Sequence, residues 1–450
     1  MRTPVNPKDV MTQQTNRDNV SQLRPKPVII PRNEHTISRA QISENALKVL
    51  YRLKSAGYQA CLVGGSVRDL LLGREPKDFD VATNAKPEQI RELFRNCVLI
   101  GRRFRLAHVR YGEEIIEVST FRAPHDVEDV EHMAEGRILR DNVYGSINED
   151  VWRRDFTVNA LYYDIADFSV IDYVNGMQDV KAGRIRLIGD PVKRYIEDPV
   201  RLLRAVRFAV KLGFRIDTET EKPVYELGNL LDDIPSARLF EETLKLFMGG
   251  CAVQTFEQLR HYNLFRSLFP QTDAVLAEQE GGFPHTLLIR ALNNTDTRLA
   301  EGKPVTPGFL IASLLWAPMN RLMQDYMANG MQPAEAVMLA GDTVISRQVN
   351  STAMPRRFTR IAREIWQLQP RLKRTTGKRP QRLLQHPRFR AAYDFLLLRA
   401  ESGEDVKELA EWWTKFQEDP ENATLVEKDK ASHTGKRRRR YHRPRKPAGK

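Results

Sequence analysis

Two carboxylates one residue apart, Asp78 and Asp80 in the segment Asp78-Phe79-Asp80, are the first reactive constellation in this 450-residue chain. In an extended strand, positions i and i+2 share a face, so both carboxylates project together while Phe79 turns into the core. Side by side they repel and raise one another's pKa, which a divalent cation between them relieves. Mg²⁺ suits such a site because it takes few protein oxygens and leaves positions for phosphate oxygens. A bare Asp-X-Asp is common by chance and by itself reads first as a solvated strand end. The preceding residues change that balance. Leu62-Val63-Gly64-Gly65-Ser66 reads as a strand running into a glycine pair and then a helix starting near Val67. Glycines let backbone amides approach phosphate, Ser66 can cap or donate, a helix N-terminus favours anions, and Arg68 adds a cation on the first turn. A phosphate cradle and paired carboxylates about a dozen residues apart are the minimal equipment of nucleotidyl transfer. One metal activates an attacking hydroxyl while a second neutralises the triphosphate leaving group.

That chemistry calls for a further acid. Glu117 lies in the strand-like run Glu113–Phe121, where alternation places it with Ser119 and Phe121 and opposite Ile116 and Val118. It is the preferred additional metal carboxylate, with a surface-facing strand glutamate as the plainer reading. Asp155, in RRDFTVNAL, competes as an active-site acid or as the ion-paired partner of Arg154. His108 stands alone and is assigned no role.

The elements that must hold these residues follow from periodicity. A helix starts near Ser43, with Ala46, Leu47, Val49, Leu50 and Leu53 on one stripe. A short strand, Ala60–Val63, leads to the glycine pair, a helix covers Pro87–Phe94, and two strands run Ala107–Tyr111 and Glu114–Phe121. This alternation predicts a compact mixed α/β head over residues 41–170. Inside it, Ala123–Asn142 is acidic and aperiodic, and is expected to be a mobile loop. After Pro191 the pattern is helical, with segments at Glu197–Leu212, Arg238–Phe247, Val253–His261, Pro307–Leu315, Arg356–Leu368 and Phe389–Ala400. The expected divisions are a basic arm at 1–40, the head, a helical neck at 171–260, a helical body at 261–425 and an Arg-rich tail at 426–450. Arm and tail are expected to be disordered.

Charge is unevenly spread. The chain carries a formal +13, of which Lys436–Lys450 contributes 9 basic residues and no acid, and residues 1–40 contribute +4. Everything between is neutral by count, which excludes a uniformly basic packaging protein. Yet Arg356–Arg390 holds 12 basic residues against Glu364 alone. The longest apolar stretch, Phe309–Met319, falls far short of the ~20 residues of a membrane-spanning helix. The N-terminus has no apolar signal core, so a cytoplasmic protein is expected. Cys61, Cys97 and Cys251 form neither a disulfide framework nor a zinc pattern.

Four ordered segments, GGSVRDLLLG, KDFDVAT, RRDFTVNAL and EDPVRLLRAVRFAVKLGF, resemble the polymerase-β-type nucleotidyltransferase superfamily. More narrowly they resemble its bacterial class II branch of poly(A) polymerases and CCA-adding tRNA nucleotidyltransferases. The resemblance covers about Val63–Phe247 and implies a small sheet-based catalytic head followed by an all-α neck, body and tail. It implies that Gly64, Gly65, Ser66 and Arg68 hold the triphosphate and ribose, and that Asp78 and Asp80 bind Mg²⁺ in a two-metal site. Arg154, Asp155 and Asn159 would contact the nucleotide and support catalysis. The helix Glu197–Leu212 would read the incoming base, with Asp198 and Arg201 on one face and Arg204 and Arg207 extending it. A carboxylate accepts from an exocyclic amine and an arginine donates to a ring nitrogen, which matches adenine or cytosine and not guanine or uracil.

Between the two branches, LIGRRFRLAHVR at Leu99–Arg110 resembles the poly(A) polymerases, where CCA-adding enzymes usually carry a Gly-Thr-Val-like sequence. Arg102, Arg103 and Arg105 are expected to set cations beside the metal strand. The Arg-rich end, with Tyr441 and His442 interleaved, suits sequence-independent RNA contact. The expectation is a template-independent polynucleotide adenylyltransferase that adds AMP from ATP to RNA 3′ ends, with RNA-degradation machinery as a partner. CCA addition to tRNA is the alternative, and a non-catalytic RNA-binding protein on the same head is the distant one.

Overall fold

The computed structural model describes residues 26–101, 105–123, 143–278 and 286–419. The chain divides into two compact units, Met1–Ala182 and Gly183–Lys450. All of the expected loop Ala123–Asn142 beyond Ala123, Arg102 and Arg103, and the Arg-rich tail lie outside the described residues.

The first unit is built on one eight-stranded sheet. Its strands are β1 (Val28–Ile30), β2 (Ala60–Val63), β3 (Asp80–Thr83), β4 (Cys97–Ile100), β5 (Leu106–Tyr111), β6 (Glu114–Thr120), β7 (Leu161–Asp164) and β8 (Val170–Asp172). The spatial order is β1-β8-β7-β2-β3-β6-β5-β4. Every pairing is antiparallel except β3 with β6. The head helices are α1 (Glu44–Ser55), α2 (Gly65–Leu71), α3 (Pro87–Leu93), α4 (Ile147–Arg153) and α5 (Gly176–Ala182). Ser43 caps α1 by accepting the Ala46 N–H at 3.0 Å. Ala46, Val49, Leu50 and Leu53 are fully buried where α1 lies over the sheet. All four residues of β2 are buried, as an apolar run in a central strand requires.

Residues 26–40 depart from the expected disordered arm. Val28-Ile29-Ile30 pairs with β8 as the edge strand, because three β-formers supply a ladder that the surrounding polar composition obscures. The helix after the glycine pair also begins two residues early, at Gly65.

In the second unit a short parallel pair, β9 (Arg184–Ile185) and β10 (Arg215–Ile216), is followed by helices almost throughout. They are α6 (Pro191–Glu197), α7 (Val200–Leu212), α8 (Thr218–Leu227), α9 (Ser236–Phe247), α10 (Ala252–His261), α11 (Phe265–Leu268) and α12 (Pro270–Glu278). Beyond these come α13 (Thr286–Ala300), α14 (Pro307–Leu314), α15 (Trp316–Ala328), α16 (Pro333–Ser351), α17 (Arg356–Leu372), α18 (Arg379–Leu384), α19 (Phe389–Glu401) and α20 (Lys407–Glu418). The segment expected as one helix from Glu197 is two. Pro199 pushes Asp198 out of the helical region, to φ −147° and ψ 90°, so Asp198 terminates α6 and α7 starts at Val200. Gly213 ends α7 in the left-handed conformation, as expected. At Gly308 a Cβ would sit 2.6 Å from that of Ile361, so α14 and α17 meet at a distance only glycine permits. Trp366 of α17 seals that contact by donating Nε1–H to the Ala312 carbonyl at 3.1 Å. Among the described residues no helix is long and apolar enough to cross a membrane.

Candidate active site

The turn after β2 begins at Gly64, with φ 77° and ψ −131°. A Cβ there would meet only ordinary contacts, 3.7 Å from Arg154 Nη1 and 3.8 Å from the Asn159 carbonyl. It is therefore the backbone conformation, and not lack of room, that requires glycine. Ser66 is buried and donates its hydroxyl to the Val63 carbonyl at 3.2 Å, tying the turn to the strand end.

Arg68, one turn on, is 2% exposed and fully engaged. Its Nη1 donates to Asn159 Oδ1 at 2.5 Å, and Nε and Nη2 donate to Asp69 Oδ1 at 2.9 and 2.7 Å. Asn159 in turn donates to Asp155 Oδ1 at 3.4 Å, and that oxygen also accepts the Phe156 N–H at 2.8 Å. Arg154 donates Nε and Nη2 to Asp150 Oδ2 at 3.1 and 2.9 Å, and Nε to the Tyr162 hydroxyl at 2.8 Å. Burial works against the charge on Arg154, but Tyr162 and Asp150 outweigh it and hold the guanidinium's pKa above its ordinary value. The turn carrying Asn159 is braced from beneath. Thr157 donates to Asp179 at 2.8 Å, and a Cβ on Gly176 would lie 2.3 Å from the Thr157 carbonyl.

The carboxylates stand on a transverse row of the sheet. Strand register sets Val98 opposite His108, His108 opposite Glu117, Glu117 opposite Asp80, and Asp80 opposite Val63. Partners in register share a face. Ile116 and Val118 are buried on the other face, in keeping with the expected alternation. Asp78 precedes β3 and, like Asp80, keeps its side chain open to solvent. Asp80 is nonetheless set among enough protein that burial, together with Glu117 and then Asp78, pushes its pKa up to about 6, against the pull of Arg154. These donors fit a hard divalent cation: they are carboxylate oxygens only, they face solvent, and their mutual repulsion is what a cation relieves. Among the described residues no three or more His, Cys, Asp or Glu side chains converge into a metal cage. Glu117 instead brings Oε2 within 3.4 Å of His108 Nε2.

The structure thus brings together, in the first unit, Gly64, Gly65, Ser66, Arg68, Asp78, Asp80, Glu117, Arg154, Asp155 and Asn159. Asp198, Arg201 and Arg204 belong to the second unit. There Asp198 accepts from Arg238 at 2.8 Å, while Arg201 is buried and donates to the Arg194 carbonyl at 2.7 Å and to Glu197 at 2.8 Å. Arg204 lies over the Phe208 ring at 5.4 Å. The acid and guanidinium expected on one helix face are held by different partners. Arg105 points to Glu88, at 2.5 Å.

Sequence reasoning missed Asp150, Tyr162, His108 and Arg238. Asp150 could have been found from its i, i+4 spacing to Arg154. Tyr162 and His108 enter only through strand pairing, and Arg238 from a helix 40 positions on.

Comparison with known proteins places this geometry. Residues 60–186 match the family model "Poly A polymerase head domain", 213–276 match "Probable RNA and SrmB- binding site of polymerase A", and 329–446 match "Polymerase A arginine-rich C-terminus". The chain is 51% identical over 435 residues to a poly(A) polymerase I of Salmonella typhimurium, covering 94% of this chain and 93% of that protein. Likeness to a CCA-adding enzyme of Lactobacillus helveticus is 39% over 212 residues, 47% of this chain and 52% of that protein. The solved CCA-adding enzyme of Bacillus stearothermophilus, in complex with CTP, shares the fold with a TM-score of 0.53 and 24% identity, covering 86% of this chain and 81% of that one. With the head, the helical region and the Arg-rich segment all matched in order, the chain belongs to the poly(A) polymerase I family of nucleotidyltransferases.

Proposed function

We propose that the chain joins AMP from ATP, without a template, to RNA 3′ ends, using Asp78 and Asp80 as the carboxylate pair for Mg²⁺ with Glu117 beside them. The observation that supports this most is the strand register, which sets Asp80 opposite Val63 at the entry to the Gly64 turn and opposite Glu117 on its other side. Bound Mg²⁺ supplies charge neutralisation and polarisation of phosphate oxygens. In this reading the RNA 3′-hydroxyl attacks the α-phosphorus of ATP in line and pyrophosphate leaves. The Gly64–Gly65 backbone and Ser66 bound the triphosphate pocket. Arg68 and Arg154 supply positive charge already fixed by Asn159, Asp69 and Asp150, so little reorganisation is needed when phosphate arrives. Asp155 holds Asn159 in place. Asp198, Arg201 and Arg204 serve base selection in the neck, with Arg238 orienting Asp198.

The reading brings with it a cytoplasmic location, RNA decay as the outcome of tailing, and the degradation machinery as partner. Its test is Asp80→Ala: AMP incorporation from labelled ATP falls by at least about a thousandfold while RNA binding persists and thermal unfolding stays cooperative. Retained polymerisation overturns the carboxylate assignment. Incubation with a generic oligoribonucleotide gives long A tails; C-then-A addition confined to tRNA ends overturns the adenylyl reading.

A further inference from the structure

Tyr162 shares a register row with Val63 and Asp80, so Tyr163, next along β7, turns to the opposite face of the head sheet. Tyr163 is fully buried, and its hydroxyl has no hydrogen-bond partner among the described residues. A buried hydroxyl in that state is costly, and few native ones are left so. The charged groups that act on it are Arg32 and Arg39, with the Tyr51 hydroxyl beside them, and no carboxylate is among them. Burial raises the Tyr163 pKa above its ordinary value while the two guanidiniums oppose it, so at neutral pH the group remains an O–H donor.

The surrounding side chains are set in place by their own contacts. Arg32 and Arg39 are exposed, and neither forms an ion pair among the described residues. Arg32 donates Nη1 to the His35 carbonyl at 3.0 Å. Arg39 donates Nη1 to the Tyr51 hydroxyl at 3.1 Å and lies over the Phe168 ring, 5.0 Å from its centre. Since Tyr51 accepts there, its own O–H remains to be donated. Phe168 presents its ring from a left-handed backbone, φ 63°, which a phenylalanine rarely adopts. His35 locks that turn: Nδ1 accepts the Ile37 N–H at 3.2 Å, so Nε2 carries the proton and donates to the Phe168 carbonyl at 2.9 Å. The acids on the same segments do not answer the arginines. Asp164 accepts the Ala166 N–H, Asp167 accepts the Ser169 N–H, and Glu34 pairs with neither guanidinium. Two guanidiniums and two phenolic O–H groups therefore make a set of donors short of an acceptor. A carboxylate has only two oxygens to offer them, whereas a phosphate group is tetrahedral and can serve both cations and a hydroxyl at once.

We propose that Arg32, Arg39, Tyr51 and Tyr163 form a phosphate-binding site on the face of the head sheet turned away from Asp80. The group bound is a phosphate, from the backbone of an RNA strand or free in solution. The arginines are long and exposed, so they can part to admit one oxygen, which gives the Tyr163 hydroxyl the acceptor it lacks. The site stands independently of the carboxylate reading.

The test uses the full chain with 3-fluorotyrosine in place of tyrosine, read by fluorine NMR at neutral pH; the Tyr163 signal is the one missing from Tyr163→Phe. Inorganic phosphate moves that signal saturably, while chloride and acetate at equal ionic strength do not. Arg32→Gln and Arg39→Gln each raise the phosphate dissociation constant about tenfold, the loss of one charge-assisted contact. In unlabelled protein without phosphate, Tyr163→Phe melts no lower than the parent, because it removes a group that had no partner. Added phosphate then raises its midpoint less than the parent's. A single-stranded oligoribonucleotide without terminal phosphates supports the RNA backbone as the source if it moves the Tyr163 signal, with a salt slope that falls by about 0.7 for each arginine removed. If it leaves the signal in place, the source is free phosphate. The proposal is overturned if phosphate leaves the Tyr163 signal where it was, if acetate moves it equally, or if the response is intact in the Arg32→Gln/Arg39→Gln double variant.

Discussion

The two units use positive charge in opposite ways. In the head, Arg68 is buried and Arg154 largely covered, and each guanidinium is bound by side chains of the fold: Asn159 and Asp69 for one, Asp150 and Tyr162 for the other. In the helical unit, Arg371, Lys373, Arg374, Lys378, Arg379 and Arg382 crowd the end of α17 and the start of α18, exposed and without an ion pair among the described residues. Their neighbours Leu372, Pro380, Leu383 and Leu384 are buried, so the backbone is anchored while the charges stay in water. A fixed cation is preorganised and acts at a defined atom. A solvated cation keeps its side-chain entropy and serves a partner whose phosphates recur along a chain. In the proposed reading, one unit places a reacting group and the other supplies general affinity for RNA.

The largest effect that separates them is on the fold. Arg154→Ala removes the guanidinium donors of Asp150 and the Tyr162 hydroxyl, though Asp150 keeps the Tyr162 O–H and the Arg122 N–H, and in this part-buried site the loss costs about 1–3 kcal/mol. Arg379→Ala, at the exposed patch, stays within about 0.5 kcal/mol. Urea unfolding of both variants checks this; equal losses would erase the distinction. Next in size is RNA affinity. Replacing Arg371, Arg374, Arg379 and Arg382 together with Gln lowers affinity for a single-stranded oligoribonucleotide and flattens its salt dependence by about 0.7 for each phosphate no longer neutralised. The rate at saturating RNA is unchanged. An unchanged salt slope in a filter-binding titration would remove the patch from RNA binding.

The smallest effect is a stability shift at Asp80. Its folded pKa of about 6 lies above the ordinary 3.8, so the folded state takes up a proton before the unfolded chain does. The destabilisation from the charged form is complete above pH 6, shrinks as pH falls through 6, and is gone below about 3.8. Asp80→Asn therefore melts higher than the parent at pH 7.5 in chelator, by an amount that declines toward zero near pH 4. A constant difference across that range would mean the carboxylate is not strained by its surroundings.

Much of this could be read from the chain itself. The stripe of α1, the buried strand β2, the glycine turn and the Glu117 alternation are local patterns, and each appears where periodicity and turn chemistry put it. Misreadings arose where one residue outweighed a pattern. Pro199 splits a stretch that is amphipathic throughout, and Val28–Ile30 forms a strand whose signal is only three residues long. His108 was legible as a residue and illegible as a neighbour, because its partner is nine positions away on another strand.

The sequence by itself determined the chemical inventory: the carboxylates, the glycine turn, the arginines and the order of the segments that carry them. Residue type and short-range spacing suffice for that, since they set charge, backbone freedom and which face a side chain takes. Only the tertiary structure decided which groups meet. That β3 lies parallel to β6, setting Glu117 against Asp80, and that Asn159 comes under Arg68 from 91 residues away, follow from strand register and packing. Such pairings depend on the whole sheet closing around one core, which no local window of sequence encodes.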